Sequence, residues 1–130
     1  RIKDVPRRAA GPDIRHVIIG NEGALCYITE VTVKVFRHHP DSIRYLGWRT
    51  DEMGPGFEVL REVMAAGYHP SVARLYDAAD GAQHGFDEFA PGQCVMIFTT
   101  EGPEGISAAT AAGIEEIVAA RAEFTPVDGE

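Results

Sequence analysis

The residues best able to do chemistry in this 130-residue chain are a glycine-rich run, one strand arginine and a scatter of histidines and cysteines. Gly20-Asn21-Glu22-Gly23 must turn sharply, because glycine takes positive φ at little cost and lets a ligand approach the backbone. N–H groups exposed in such a turn can donate to the acceptors of a phosphate or an adenine. Glycine also punctuates ordinary loops, so the turn alone identifies no ligand. Arg74 carries a permanent charge on a planar fork that grips a carboxylate or phosphate through two parallel hydrogen bonds. Its plainer use is an ion pair with Asp77 or a surface glutamate. His38 and His39 point to opposite faces of a strand and have no Cys or acidic cluster beside them, so a solvated turn suits them better than a metal. His16, His69 and His84 have no neighbour that completes a dyad. Cys26 and Cys94 lie in strand-like apolar segments without metal-type spacing, which reads as buried free thiols in a reducing cytoplasm.

Elements that could position these groups follow from the pattern of apolar residues. Asp13 is placed to cap a helical turn over residues 14–18. Residues 27–37 alternate, with Ile28, Val31, Val33 and Val35 against Thr29, Thr32, Lys34 and Arg37. The pattern predicts a strand with a bulge near Glu30 and Val31. His38-His39-Pro40-Asp41 breaks it and marks a domain boundary after residue 38. Beyond the boundary, residues 44–49 form a strand, with Tyr45, Leu46 and Trp48 as its bulk. Thr50 or Asp51 caps a helix over residues 53–66 whose apolar stripe is Phe57, Leu60, Val63 and Met64. Gly67 suits the end of that helix. Residues 71–76 and 94–100 are further strands, the second apolar enough for burial on both faces, and residues 77–92 are loop. Residues 107–122 form a helix that buries Ile114, Ile117 and Val118 and exposes Glu115 and Glu116. Trp48 and Phe57 are core anchors. This β-α-β-β-α order supplies five elements of a ferredoxin-like split βαβ unit. Its fourth strand is missing from residues 123–130, which carry Pro126 and Gly129.

Composition narrows the class. Hydrophobic residues make up 45% and charged residues 25%, as in globular domains. A net charge of −8 disfavours nucleic acid and anionic membrane surfaces. No apolar run approaches the length of a membrane span. The polar opening, residues 1–12, begins with Arg1 and makes a poor start for an independent fold, which suggests an excised piece of a longer polypeptide.

The run Gly11-Pro12-Asp13 through Gly20-Asn21-Glu22-Gly23-Ala24-Leu25-Cys26-Tyr27-Ile28-Thr29-Glu30 resembles the Gly-Pro-Asp-Leu…Gly-Ser-Glu-Gly-Thr-Leu-Gly-Ile-Ile-Thr-Glu signature of FAD-linked oxidases of the vanillyl-alcohol-oxidase type. Asn21, Ala24, Cys26 and Tyr27 depart from it. Residues 57–77, from Phe57 to Arg74-Leu75-Tyr76-Asp77, are similar to the opening of the cap domain in the alkyldihydroxyacetone-phosphate synthase branch. The resemblance implies an α+β chain: the C-terminal tail of an FAD-binding (PCMH-type) domain over residues 1–38, then a partial ferredoxin-like cap domain over residues 39–130. It implies FAD as cofactor of the full-length protein, held in part by Gly20, Asn21, Glu22, Gly23, Ala24, Leu25, Cys26, Tyr27 and Ile28. Arg74 would face a small-molecule substrate. The partner would be the remainder of the same polypeptide, and the piece alone would be inactive, since the family's diphosphate-binding segment and catalytic histidines and tyrosine are not among its residues. The rival reading is a stand-alone ferredoxin-like module that binds a partner and catalyses nothing. Pairing of residues 27–37 into the same sheet as residues 94–100 would favour that rival, and an orphan segment with exposed valines would favour the flavoenzyme.

Overall fold

The computed structural model describes residues 11–127, and the chain divides into two units, Arg1–Phe36 and Arg37–Glu130. Among the described residues of the first unit the regular structure is one helical turn, α1 (Arg15–Ile18). The Asp13 carboxylate accepts from the backbone N–H of Arg15 at 3.1 Å, as the sequence suggested, although the helix begins a residue late. Residues 27–37 do not form the expected strand, and no bulge exists there. Val31, Val33, Val35 and Phe36 are 66–79% exposed. Alternation supplies a preference for extended backbone, but a strand also needs a neighbour to accept and donate its hydrogen bonds. Among the described residues none does so.

The second unit is built on a four-stranded antiparallel sheet. Its strands are β1 (Arg44–Thr50), β2 (Val72–Tyr76), β3 (Cys94–Thr100) and β4 (Thr125–Pro126), in the order β2-β3-β1-β4. Each long helix carries the chain over one strand: α2 (Met53–Ala65) joins β1 to β2, and α4 (Glu104–Ala119) joins β3 to β4. The short strand β4 corrects the expectation that no fourth strand follows residue 122. Pro126 pairs with Trp48 and Thr125 with Arg49, and the Val127 N–H donates to the Gly47 carbonyl at 2.9 Å. A proline is tolerated because β4 lies at the edge of the sheet.

The core lies between the sheet and the two long helices. Met96 and Phe98 of β3 are fully buried against Val59, Val63, Ile114 and Val118, and the Trp48 ring meets Phe98 edge-on at 6.2 Å. Each such side chain contributes about 1.5–3 kcal/mol of transfer free energy. The buried stripe of α2 is Gly56, Val59 and Val63, with Leu60 partly buried against the core, so the expected Leu60 and Val63 hold while Phe57 and Met64 face solvent, 57% and 46% exposed. Phe57 is therefore no core anchor. The sequence offered two adjacent apolar registers, and the Gly56 register wins because it lets the helix close on Leu75, whose methyls would lie 2.7 Å from a Cβ there.

Helix ends also moved. Neither Thr50 nor Asp51 caps α2, whose N-cap is Glu52 without a side-chain bond. Thr50 is buried at the end of β1, and Asp51 accepts from Gln93 Nε2 at 2.7 Å. At the other end Gly67 has φ +86°, its N–H donates to Met64 and that of Tyr68 to Val63, closing the helix. Helix α4 starts at Glu104, just after Pro103, since proline fixes the entry and Glu104 suits a first turn. Ser107 then lies inside the helix and joins a buried network: its hydroxyl donates to the Ser42 carbonyl and meets Thr100 Oγ1 at 2.9 Å.

Gly113 of α4 marks the closest approach of this layer, since a Cβ there would lie 2.1 Å from the Tyr68 ring. Gly105, in the same helix, has open space around it. Gly113→Ala should lower stability by about 1–2 kcal/mol, overpacking outweighing the gain in helix propensity. Gly105→Ala should raise it by up to about 1 kcal/mol. Denaturant unfolding followed by circular dichroism checks both.

Candidate functional site

Two places hold the residues singled out by chemistry, one in each unit. In the first unit the chain leaves α1 and reverses through Gly20, Asn21, Glu22 and Gly23. Gly20 and Gly23 take φ +80° and +83°, and Glu22 takes +49°, so three of four residues are left-handed. Asn21 organises the turn. Its Oδ1 accepts from the Leu25 N–H at 3.2 Å, its Nδ2 donates to the Ile18 carbonyl, and Sγ of Cys26 lies 4.0 Å from the same nitrogen. An Asn amide is well suited to this, offering a donor and an acceptor to backbone a few residues away. Its role was not evident from glycine spacing alone. Glu22, Gly23, Ala24, Leu25, Tyr27 and Ile28 are exposed, and Tyr27 is 91% so. Cys26 is half-buried in irregular chain, not in a strand, and its φ is negative, so the turn needs no glycine at that position. Cys94 is buried in β3, where burial pushes its thiol pKa up and keeps it inert.

Upstream of the turn Asp13 and Arg15 form a tight pair. Arg15 Nε donates to both carboxylate oxygens at 2.9 Å. The hydrogen-bonded guanidinium holds the Asp13 pKa down at about 2.

In the second unit Arg74 lies on the sheet face that α2 and α4 leave open. Side chains alternate across a sheet, and Met96, Phe98, Trp48, Ala73 and Leu75 are taken by the helical side. On the other side the pairing sets three rows: Tyr45, Thr99 and Val72; Gly47, Ile97 and Arg74; Arg49, Val95 and Tyr76. The third row is covered by α3 (Ala78–Gln83) and a following 3₁₀ turn, Phe86–Glu88, both within the stretch expected to be loop. Asp77 is the signal for α3, since its carboxylate caps the helix by accepting from the Asp80 N–H at 2.8 Å. Phe86 packs on Tyr76 at 5.2 Å between ring centres, and the Phe89 carbonyl accepts from Arg49 Nη1 at 2.9 Å. The first two rows remain accessible, with Tyr45 76% exposed.

The plain ion pair considered for Arg74 does not form, because Asp77 is spent on the helix cap. Arg44, Arg61 and Arg121 pair with Glu104, Glu58 and Glu62. Among the described residues the Arg74 guanidinium meets no carboxylate; it donates from Nη1 to the Tyr76 hydroxyl at 3.0 Å. That bond, with a smaller attraction from the Asp80 carboxylate, shifts the Arg74 pKa further above its ordinary value. Tyr76 was missed, although a strand residue two positions on necessarily shares the face. His38, His39 and His69 join no cluster of three or more metal-ligating side chains among the described residues. No described helix is long and apolar enough to cross a membrane.

No protein-family model matches the chain. Over all 130 residues it is 59% identical to an uncharacterized FAD-linked oxidoreductase, YgcU, of Escherichia coli O157:H7, and 58% identical to the protein of that name in strain K12. It spans 27% of the length of each. Over 93 residues it is 33% identical to the alkyldihydroxyacetonephosphate synthase of Caenorhabditis elegans, covering 72% of this chain and 14% of that protein. Two solved structures of alkyldihydroxyacetonephosphate synthase share the fold. One has a TM-score of 0.67 and 19% identity, covering 88% of this chain and 25% of the other; the second has 0.64 and 22%, covering 96% and 27%. These likenesses bear out the resemblance to FAD-linked oxidases, with the alkyldihydroxyacetone-phosphate synthase branch among the relatives.

The Asp13–Arg15 pair has a measurable pH signature. A depressed carboxyl pKa means that the pairing contributes fully above the ordinary carboxylate range, about pH 4. It is lost as the pH falls through about 2. The Asp13 carboxyl ¹³C shift should titrate near 2, and in Arg15→Gln its midpoint should return toward 3.8.

Proposed function

From its kinship with the FAD-linked oxidoreductases, we propose that this chain is a segment of an FAD-dependent flavoenzyme, an oxidoreductase or a synthase of the alkylglycerone-phosphate type. The observation that carries the reading is likeness to an FAD-linked oxidoreductase from the first residue to the last. Residues 1–38 then close the cofactor domain, and residues 39–130 open a substrate-side cap of ferredoxin-like form. The turn from Gly20 to Ile28, left-handed at Gly20, Glu22 and Gly23 and exposed from Glu22 to Leu25, would lie along one edge of the FAD. When bound, FAD supplies the redox chemistry, while these residues supply contact and orientation. Arg74 presents its cation on the accessible sheet face to an oxyanion of a small-molecule substrate. The protein acts in the cytoplasm, which suits two free cysteines.

The exposed row of Val31, Val33 and Val35 supports a larger polypeptide that covers it. A stand-alone binding module draws some support from β4, which completes the second unit's sheet. It leaves that valine row unexplained.

The full-length protein should purify yellow with bound FAD, while residues 1–130 alone should not retain it, one edge of a pocket being too little to hold a buried cofactor. Arg74→Gln in the full-length protein should keep the flavin and lose at least about 30-fold in kcat/KM. Colourless full-length protein would overturn the flavin reading, and unchanged turnover would remove Arg74 from the substrate side.

A further inference from the structure

We infer that Tyr76 is a positioning residue for Arg74, holding one arm of its guanidinium so that the other arm meets a substrate oxyanion. The inference rests on the reading of Arg74 as the substrate-side cation and adds the group that aims it.

An arginine on an exposed strand has several side-chain torsions to order before it can bind, which costs entropy. Here that freedom is already spent. Arg74 Nη1 donates to the Tyr76 hydroxyl at 3.0 Å, and both side chains rise from the same face of β2. Tyr76 itself cannot swing away, being only 9% exposed. Its ring packs against His84 at 5.0 Å and Phe86 at 5.2 Å, two rings that also lie against each other at 6.0 Å. His84 is fixed in turn, its Nδ1 lying 2.8 Å from the Asp80 carbonyl. The Asp77 cap on α3 anchors that segment.

The choice of a hydroxyl matters chemically. A carboxylate in its place would neutralise the cation and compete with an anionic ligand. A phenol accepts the hydrogen bond and leaves the charge for the ligand. In the same row Ile97 lies beside Arg74 as an apolar neighbour, and Gly47, one strand further, has the Val127 side chain packed over it.

Tests use the full-length flavoprotein, with inorganic phosphate and acetate as probes in separate calorimetric titrations. Tyr76→Phe keeps the ring against His84 and Phe86 and removes only the hydroxyl. It should leave flavin content and melting temperature unchanged and weaken anion binding about 3- to 10-fold. Arg74→Gln should abolish binding, and the double variant should match Arg74→Gln alone, because the hydroxyl acts only through the arginine. Wild-type affinity in Tyr76→Phe, with binding abolished in Arg74→Gln, would overturn the positioning role and leave the Arg74 reading intact. A wild-type protein that binds neither probe, or an Arg74→Gln variant that binds normally, would overturn both. A drop in melting temperature of Tyr76→Phe without an affinity change would show the hydroxyl to be structural only.

Discussion

Strand β3 is hydrogen-bonded along both edges, to β1 over its whole length and to β2 from Val95 to Thr99. Nearly everything in the second unit takes its position from that double pairing. On one side β3 presents Met96 and Phe98, on which both long helices converge. On the other it presents Val95, Ile97 and Thr99, each the middle of a row across three strands. A one-residue slip would exchange the two sets, burying Ile97 and Thr99 while turning Phe98 to solvent. The alternation of β3 therefore fixes both the core and the accessible face on which Arg74 stands.

The four long elements of the second unit were legible because each had one strong signal. Residues 94–98 were apolar throughout, and Gly67 ended α2. What was not legible depended on competition between near-equal choices. Phe57 and Val59 could each have led the buried stripe of α2, and only the need to close on Leu75 decides for Gly56 and Val59. Helix α3 was hidden because its residues, from Ala78 to Gln83, carry no apolar periodicity; its single cue is the capping Asp77. Strand β4 was hidden because two residues, one a proline, have no pattern of their own. Its existence is decided by the β1 edge beside it.

The candidate site residues show the same division. Positive φ at Gly20 and Gly23 follows from their type, and a left-handed Glu22 between them does not. Glu22 is held there by its neighbours: the Asn21 side chain ties the entry of the turn to its exit. Cys26 was read as a strand residue because the chain after it alternates. Pairing is a property of two chains, and one sequence window cannot supply both. Arg74 was visible as a cation, while its lack of an ion pair with Asp77 follows from the use of that carboxylate to cap α3.

The segment from Tyr27 to Phe36 carries a physical cost when nothing lies against it. Rich in β-branched residues, lacking proline and bearing few charges, it has the makings of a template for another copy of itself. Two chains at high concentration can satisfy each other's unpaired backbone there, with valines meeting across the new seam. Glu30 and Lys34 act as gatekeepers, since like charges would oppose one another in a parallel, in-register stack. The solubility of the chain by itself is thus a contest between those two charges and three valines.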